Sequence, residues 1–286
     1  MVRFFFLTLF LIAFSSFHLV EKQEKITVLF TNDLHSRVEA FSSQDSKYPG
    51  MGGFAERAAV VNKIRAESKN VILLDAGDVF QGTPYFNLWK GEVEYKIMSA
   101  MKYDAVNLGN HEFDNGVGGI VDRFKFANFP ILNSNYDFSS SELKDRILPY
   151  LILERSGVRI GVYGLCADLK GLVSDSKYEN IKYGDPIKAA KEFEKQLKNK
   201  YHCQIVLCLS HLGYSYKDEQ VSDSILARNT TCTDAILGGH THTLLTTPIA
   251  VKNKIGKKVL IAQNGWGGAN VCRIDFYVNN ACNSPK

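Results

Sequence analysis

Short apolar runs rich in Val, Ile and Leu recur along the chain at residues 26–31, 71–74, 105–108, 130–132, 204–209, 235–237 and 258–262. Runs of this length with little alternation predict strands buried on both faces. Between them, residues 53–68, 93–101, 186–200 and 218–228 group their charges on one side at helical spacing and predict amphipathic helices. Asp185 followed by Pro186 marks the start of the third: a capping carboxylate stands ahead of a proline whose missing N–H removes no helical hydrogen bond. Residues 150–165 differ, because two alternating runs meet at Ser156-Gly157 and predict a hairpin; a second hairpin is expected through the turn at 252–258. Strands that alternate with helices and add hairpins predict α/β sheets covered by helices, rather than a β-sandwich or a helical bundle. No linker rich in Pro, Gly or Ser divides the 286 residues, so a single domain is expected.

Composition narrows this little, since 45% apolar and 22% charged residues are ordinary for a soluble globular chain. A net charge of +4, with Lys and Arg scattered and not interleaved with aromatics, argues against a nucleic-acid partner. The N-terminus is distinct. Arg3 precedes an apolar run over residues 4–14, and Ala13 and Ser15 are small where a signal peptidase reads the chain. A signal peptide over residues 1–15 is therefore expected, with cleavage placed as late as about residue 24, leaving a catalytic domain over 25–286 that is secreted or periplasmic. The run falls short of the roughly 20 residues that cross a bilayer, so no stable membrane insertion is expected. Phe17, Leu19 and Val20 extending it into an uncleaved anchor is the alternative. Of six cysteines, Cys166 and Cys208 read as buried small hydrophobes, and Cys272 and Cys282 lie late in the chain. Cys203 and Cys232 stand eight residues before His211 and His240, so parallel neighbouring strands would set them level as a candidate disulfide. No C-x-x-C occurs, which speaks against a zinc ribbon or thioredoxin-type site.

The chemistry gathers at strand ends. Asp33 and His35 follow 26–31, Asp78 follows 71–74, Asn110 and His111 follow 105–108, His211 follows 204–209, and His240 and His242 follow 235–237. In α/β sheets the carboxyl ends of strands form a common edge, so distant segments can converge there. Carboxylate, imidazole and amide oxygen suit Zn, Mn, Fe or Co, and one aspartate can bridge two ions through its two oxygens. Asp33 and His35, two apart in an extended segment, can face one ion if the chain turns at Leu34, and His240 and His242 repeat that spacing with Thr241 pointing away. Singly, each residue has an ordinary reading: a strand-end aspartate caps or turns, and a lone histidine such as His211 is a satisfied core residue. Five of the seven histidines nevertheless fall in these segments, and only His18 and His202 stand outside them. The joint pattern is what points to metal. Tyr85, Phe86 and Trp89 read as a helix start packing on the core, with the lining of a substrate mouth as the alternative, and the Lys252, Lys254, Lys257 and Lys258 group as a solvated hairpin tip, with attraction of an anionic substrate or partner as the alternative.

The strings Thr31-Asn32-Asp33-Leu34-His35, residues 75–83, Gly109-Asn110-His111-Glu112-Phe113-Asp114-Asn115-Gly116, Ser210-His211 and Gly239-His240-Thr241-His242 resemble the calcineurin-like metallophosphoesterases. The 109–116 string and Gln81-Gly82-Thr83 look like the 5'-nucleotidase and UDP-sugar hydrolase branch, over about residues 26–278. The resemblance implies a four-layer α-β-β-α sandwich of the metallophosphoesterase type. It also implies two divalent metal ions, one held by Asp33, His35, Asp78 and His242, the other by Asp78, Asn110, His211 and His240, with Asp78 bridging. A hydroxide shared by the ions would attack phosphorus in line. His111 would protonate the departing oxygen, with Asp114 orienting its ring; as a plain turn residue, Asp114 would instead lead into Asn115-Gly116. The implied substrate is a small phosphate ester, a nucleotide in the 5'-nucleotidase branch. Within the enzyme class the alternatives are a phosphodiesterase or UDP-sugar hydrolase, and outside it a non-catalytic metal-binding scaffold. The pattern departs from the branch twice. A C-terminal domain that binds the nucleotide is not read in this chain, which leaves a stand-alone catalytic domain or one paired with a separately encoded nucleotidase C-terminal domain as the alternatives. His242 stands where many members of the branch carry an amide, a change that bears on metal preference.

Overall fold

Alternation inside the apolar runs decides the layering. The computed structural model describes residues 23–279, so the expected leader and Cys282 lie outside the described residues. In chain order the strands and helices begin with β1 (Gln23–Thr31), α1 (Phe54–Glu67), β2 (Val71–Asp75), α2 (Pro84–Trp89), α3 (Glu92–Ala100), β3 (Ala105–Asn107), α4 (Gly116–Arg123), β4 (Ile131–Leu132), β5 (Tyr136–Asp137) and β6 (Ile147–Leu148). They continue with β7 (Tyr150–Arg155), β8 (Val158–Cys166), β9 (Lys182–Tyr183), α5 (Pro186–Lys195), β10 (Ile205–His211), α6 (Asp223–Asn229), β11 (Ala235–Gly238), β12 (Ile249–Lys252), β13 (Lys258–Gln263) and β14 (Cys272–Asn279). Two six-stranded sheets result, ordered β14-β1-β2-β3-β4-β6 and β12-β13-β11-β10-β8-β7, beside a small β5-β9 ribbon. Every pairing between neighbours from β1 to β6 is parallel, as are those joining β8, β10, β11 and β13, while β14, β12 and β7 close the edges antiparallel.

The sheets pack face to face. Ile26, Val28 and Phe30 of β1, Ile72 and Leu74 of β2, and Ile205, Leu207 and Leu209 of β10 share one buried cluster between them. The intervening Leu29 and Leu73 meet Val61, Tyr95, Met98 and Ile120 from helices on one outer face, and Val206 and Cys208 meet Ala190 and Leu226 on the other. Side chains of period two therefore serve two cores at once, giving the expected four-layer α-β-β-α sandwich. Truncating an inner residue such as Leu207 would cost about 2–5 kcal/mol.

The local signals hold where the chemistry is local. Asp185 Oδ1 accepts from Ile187 N at 2.8 Å and Lys188 N at 3.2 Å, capping α5, which widens into a π turn over Gln196–Lys200. Ser156 and Gly157 both take positive φ, 49° and 78°, in the β7–β8 hairpin, the geometry that matches strand twist. The expected helix from Asp218 starts only at Asp223, because the Asp218 carboxylate accepts from Gln220 N (3.2 Å) in a turn that competes with helix. The candidate Cys203–Cys232 disulfide is corrected: β10 and β11 are parallel neighbours, but Leu207 pairs with Ala235, one residue out of the register that would set the two cysteines level. Such a slip sends the two side chains to different faces, and both thiols are free. Lys257 is also no free charge at the hairpin tip, since its Nζ lies 2.6 Å from Asp234.

Candidate metal centre

Parallel strands put their carboxyl ends on one edge, and both sheets deliver residues to it. Asp33 and His35 leave β1, Asp78 leaves β2 and Asn110 leaves β3; His211 closes β10, and His240 and His242 leave β11. The loops are zipped together by backbone: Asp33 N donates to Gly77 O (2.9 Å), His35 N to Asp78 O (3.0 Å) and Ser36 N to Val79 O (2.8 Å). Asp33, His35, Asp78, His240 and His242 all have left-handed φ, between 48° and 76°. The extended backbone expected at Asp33–His35 and His240–His242 is thus replaced by tight turns at the donor residues themselves, a strain of about 1–3 kcal/mol each that the surrounding bonds must hold. Close approach fixes two glycines: a Cβ at Gly109 would sit 2.2 Å from Asp78 Oδ1, and one at Gly239 2.9 Å from His211 Nδ1.

Two triads of donor atoms form. Asp33, His35 and His242 bring theirs within 4.8 Å of one another, and so do Asp78, His211 and His240. In the first, His242 Nε2 is 3.4 Å from Asp33 Oδ1 and 3.0 Å from His35 Nε2; in the second, His211 Nε2 is 3.0 Å from Asp78 Oδ2. The triads abut, with His211 Nε2 4.0 Å from Asp33 Oδ1. Asn110 lies beside them, its neighbour His111 N donating to Asp78 Oδ1 at 2.9 Å. The His111 ring stands edge-on to His35 at 5.3 Å, and its Nδ1 is 2.9 Å from Asp114 Oδ2.

The electrostatics are those of a cation site. Burial lowers the His211 pKa, but the Asp78 carboxylate overrides it, with Asp33 and Glu112 adding, and the group is raised to about 10. Burial opposes ionisation of Asp78 too, and His211, His111 and His35 outweigh it and hold the carboxyl far below its ordinary range. Burial, then the neighbouring His211, push His240 down to about 4, and burial lowers His35. For His111 burial acts downward, and the Asp114 bond and Asp78 charge leave it raised. Asn110 Oδ1 and His35 Nδ1 are buried without a hydrogen-bond partner, and His211 Nε2 faces the Asp78 and Asp33 carboxylates. Orphaned acceptors and imidazole nitrogens facing two buried carboxylates are costly unless something cationic completes them, and N/O donors of this kind suit divalent Zn, Mn, Fe or Co. The residues fit two ions.

Sequence reasoning missed the supports. Glu112, fully inside the loop cluster, accepts from Asp78 N (3.0 Å), Val79 N (2.8 Å) and Gly109 N (2.6 Å) and so ties the second and third loops. Gln263 accepts from Thr243 N and donates to Gly239 O, both at 2.5 Å, fixing the His240–His242 turn. Trp266 lines a cavity of about 230 Å³ with His35, Gln81, Gly82, His111 and His242. The Gly265-Trp266-Gly267-Gly268 string stands where the family places a loop at the site edge, but the sequence assigned Trp266 no role. Of the aromatics after Thr83, Phe86 packs on Phe80 while Trp89 is half exposed, so neither shapes this cavity.

Residues 26–244 match the family described as calcineurin-like phosphoesterase. A snake venom 5'-nucleotidase from Crotalus adamanteus is 34% identical over 84% of this chain and 43% of its own length. Among solved structures, a 5'-nucleotidase precursor from Thermus thermophilus superposes with a TM-score of 0.79 at 34% identity, covering 88% of this chain and 51% of that one. The NAD nucleotidase of Haemophilus influenzae also reaches 0.79, at 28% identity, over 91% of this chain and 48% of its own. The chain spans about half the length of the proteins it matches.

Proposed function

The chain belongs to the calcineurin-like phosphoesterases, and from that membership we propose that it hydrolyses phosphate esters, nucleotides above all, at a centre of two divalent cations. The observation that carries this is the pair of abutting donor triads beside the His111–Asp114 pair. Asp33, His35 and His242 would hold one ion and His211, His240 and Asn110 the other, with Asp78 shared. When bound, such ions polarise a phosphoryl oxygen and lower the pKa of water to near neutrality. His111 would supply the proton. Its Nδ1 is taken by Asp114, which fixes the ring and leaves Nε2 to donate a proton to the departing alcohol oxygen. Asp114 also stabilises the imidazolium that supplies this proton, the part a carboxylate plays in hydrolytic triads.

The nucleotide preference is supported by the relatives' names and by their similarity across this centre. Contacts to the nucleoside are proposed to come from a nucleotidase-type C-terminal domain, in this or another chain. Export is supported by the venom relative and by the charged-then-apolar start of the sequence. Among the described residues no helix is long and apolar enough to cross a membrane. The proposal is tested by phosphate release from p-nitrophenyl phosphate and AMP and by nitrophenol release from a nitrophenyl diester, each with Mn or Zn added after chelation. Metal-dependent release from the monoesters is expected. Absence of turnover on every ester with every metal, by a folded sample, would overturn it.

A further inference from the structure

We propose that Trp266 is a positioning residue for His242, holding that imidazole in its metal-binding orientation by stacking, where His211 is held by a hydrogen bond and His35 by burial. The inference rests on His242 being a metal ligand, as above. Histidines that bind metals ordinarily give their second ring nitrogen to a carboxylate or carbonyl, which fixes ring and tautomer. Among the ligands, His211 does this through Nδ1, which donates to Ala76 O at 2.8 Å. His35 is boxed in, its side chain 5% exposed. His242 has neither support: its side chain is 40% exposed, and among the described residues its polar contacts all run through Nε2, against His35 Nε2 and Asp33 Oδ1. A half-exposed imidazole held at one nitrogen alone would sample several rotamers, most of them useless to an ion beside Asp33.

Trp266 closes that freedom. Its ring lies nearly parallel to His242, 19° between planes and 5.9 Å between centroids, and meets His35 edge-on at 6.0 Å. The loop carrying it is anchored to the residues it serves. Gly267 N donates to Asp33 O (2.6 Å), Asn32 Nδ2 to Gly265 O (2.8 Å), and Gly265 N to Thr243 O, one residue beyond His242, at 3.0 Å. The buried Arg57 guanidinium donates to Gly268 O at 2.9 Å, and Phe41 braces the indole edge-on at 5.5 Å. Trp266 is thus referenced to the backbone of Asp33 and to the turn of His242 at once, so stacking sets the distance between the two donors. An offset aromatic stack supplies this without competing for the nitrogen that faces the ion.

The chain has two tryptophans, and the other, Trp89, is half exposed and outside the cavity, so Trp89→Phe leaves Trp266 as sole reporter. Zinc titration of the chelated Trp89→Phe protein, followed by tryptophan emission and by calorimetry in parallel, should show an emission change that saturates with one of two binding events. Adding Trp266→Ala should weaken that event by about 10–100-fold, the range for loss of an outer-shell partner, and leave the other in place, while Trp266→Phe recovers most of the affinity. Melting of the metal-free variants separates this from general unfolding. Two zinc events with unchanged affinities in Trp266→Ala, or an emission of Trp266 indifferent to zinc, would remove the proposal and leave the ligand assignment standing. Failure of the parent to bind zinc at all would remove both.

Discussion

At the residue scale the proposed chemistry divides between groups that would hold charge and a group that would move a proton. His111 is alone among the five clustered histidines in having its ring nitrogen paired to a carboxylate outside the triads. His111→Ala should therefore lower kcat by about 10²–10⁴ for esters with poor leaving groups, the usual worth of a positioned acid. The loss should be far smaller for p-nitrophenyl phosphate, whose leaving group needs no proton. An equal loss on both substrates would show that His111 does something else. Asp75, three residues before Asp78, makes a different prediction. Fully buried, it accepts from Thr31 Oγ1 (2.6 Å) and Gly77 N (2.9 Å), and burial raises its pKa from the ordinary 3.8 to about 8. A carboxyl raised on folding binds its proton more tightly in the native state, so its contribution to stability is complete below pH 3.8 and declines as pH rises toward about 8. Asp75→Asn removes that decline. Urea melts at pH 5 and pH 8 should show a narrower gap for the variant than for the parent, and the same gap in both would refute the assignment.

At the scale of elements, register decides what can meet. The pairing of Leu207 with Ala235 leaves Cys203 and Cys232 out of step, so both should titrate as free thiols when the protein is unfolded without reductant. A count that rises on prior reduction would contradict this. The same pairing shows how far the sequence could be read. Strands β1, β2, β10 and β11 were legible because both their faces are apolar, and the donors were legible because each sits just past such a run. β14 was not: Arg273, Asp275 and Tyr277 alternate with Ile274 and Phe276, and the apolar set acquires meaning only by pairing with β1, at the far end of the chain. One residue of register decided the cysteines, and nothing local encodes it. Glu112 stood inside a string read for His111 and Asp114, yet the N–H groups of Asp78 and Val79 that it binds belong to another loop. Trp266 was given no role for the same reason, since its partner His242 lies two strands earlier in the chain. Chemistry carried by residue type was visible; chemistry carried by contact was not.

At the scale of the molecule, the centre is a joint between the two sheets. The first triad takes Asp33 and His35 from one sheet and His242 from the other; the second takes Asp78 from the first sheet and His211 and His240 from the second. Each ion would therefore cross-link the layers at their carboxyl edge, while the apolar cluster between the sheets holds them together elsewhere. Chelation should leave the chain folded but less stable. Two sites filled at about 100 times their Kd contribute roughly 5 kcal/mol through binding to the native state alone. For a domain of this size that is a melting shift on the order of 10–20 °C. The loss should also be local. Amide exchange should quicken in the loops at 33–36, 78–82, 110–114 and 239–243, where buried carboxylates are left facing one another, and stay slow in β1, β2, β10 and β11, whose bonds and packing do not involve the ions. Re-adding Mn or Zn should restore both readouts together. Equal melting temperatures with and without metal, or exchange that quickens uniformly through both sheets, would mean that the donors do not act as the joint their placement describes.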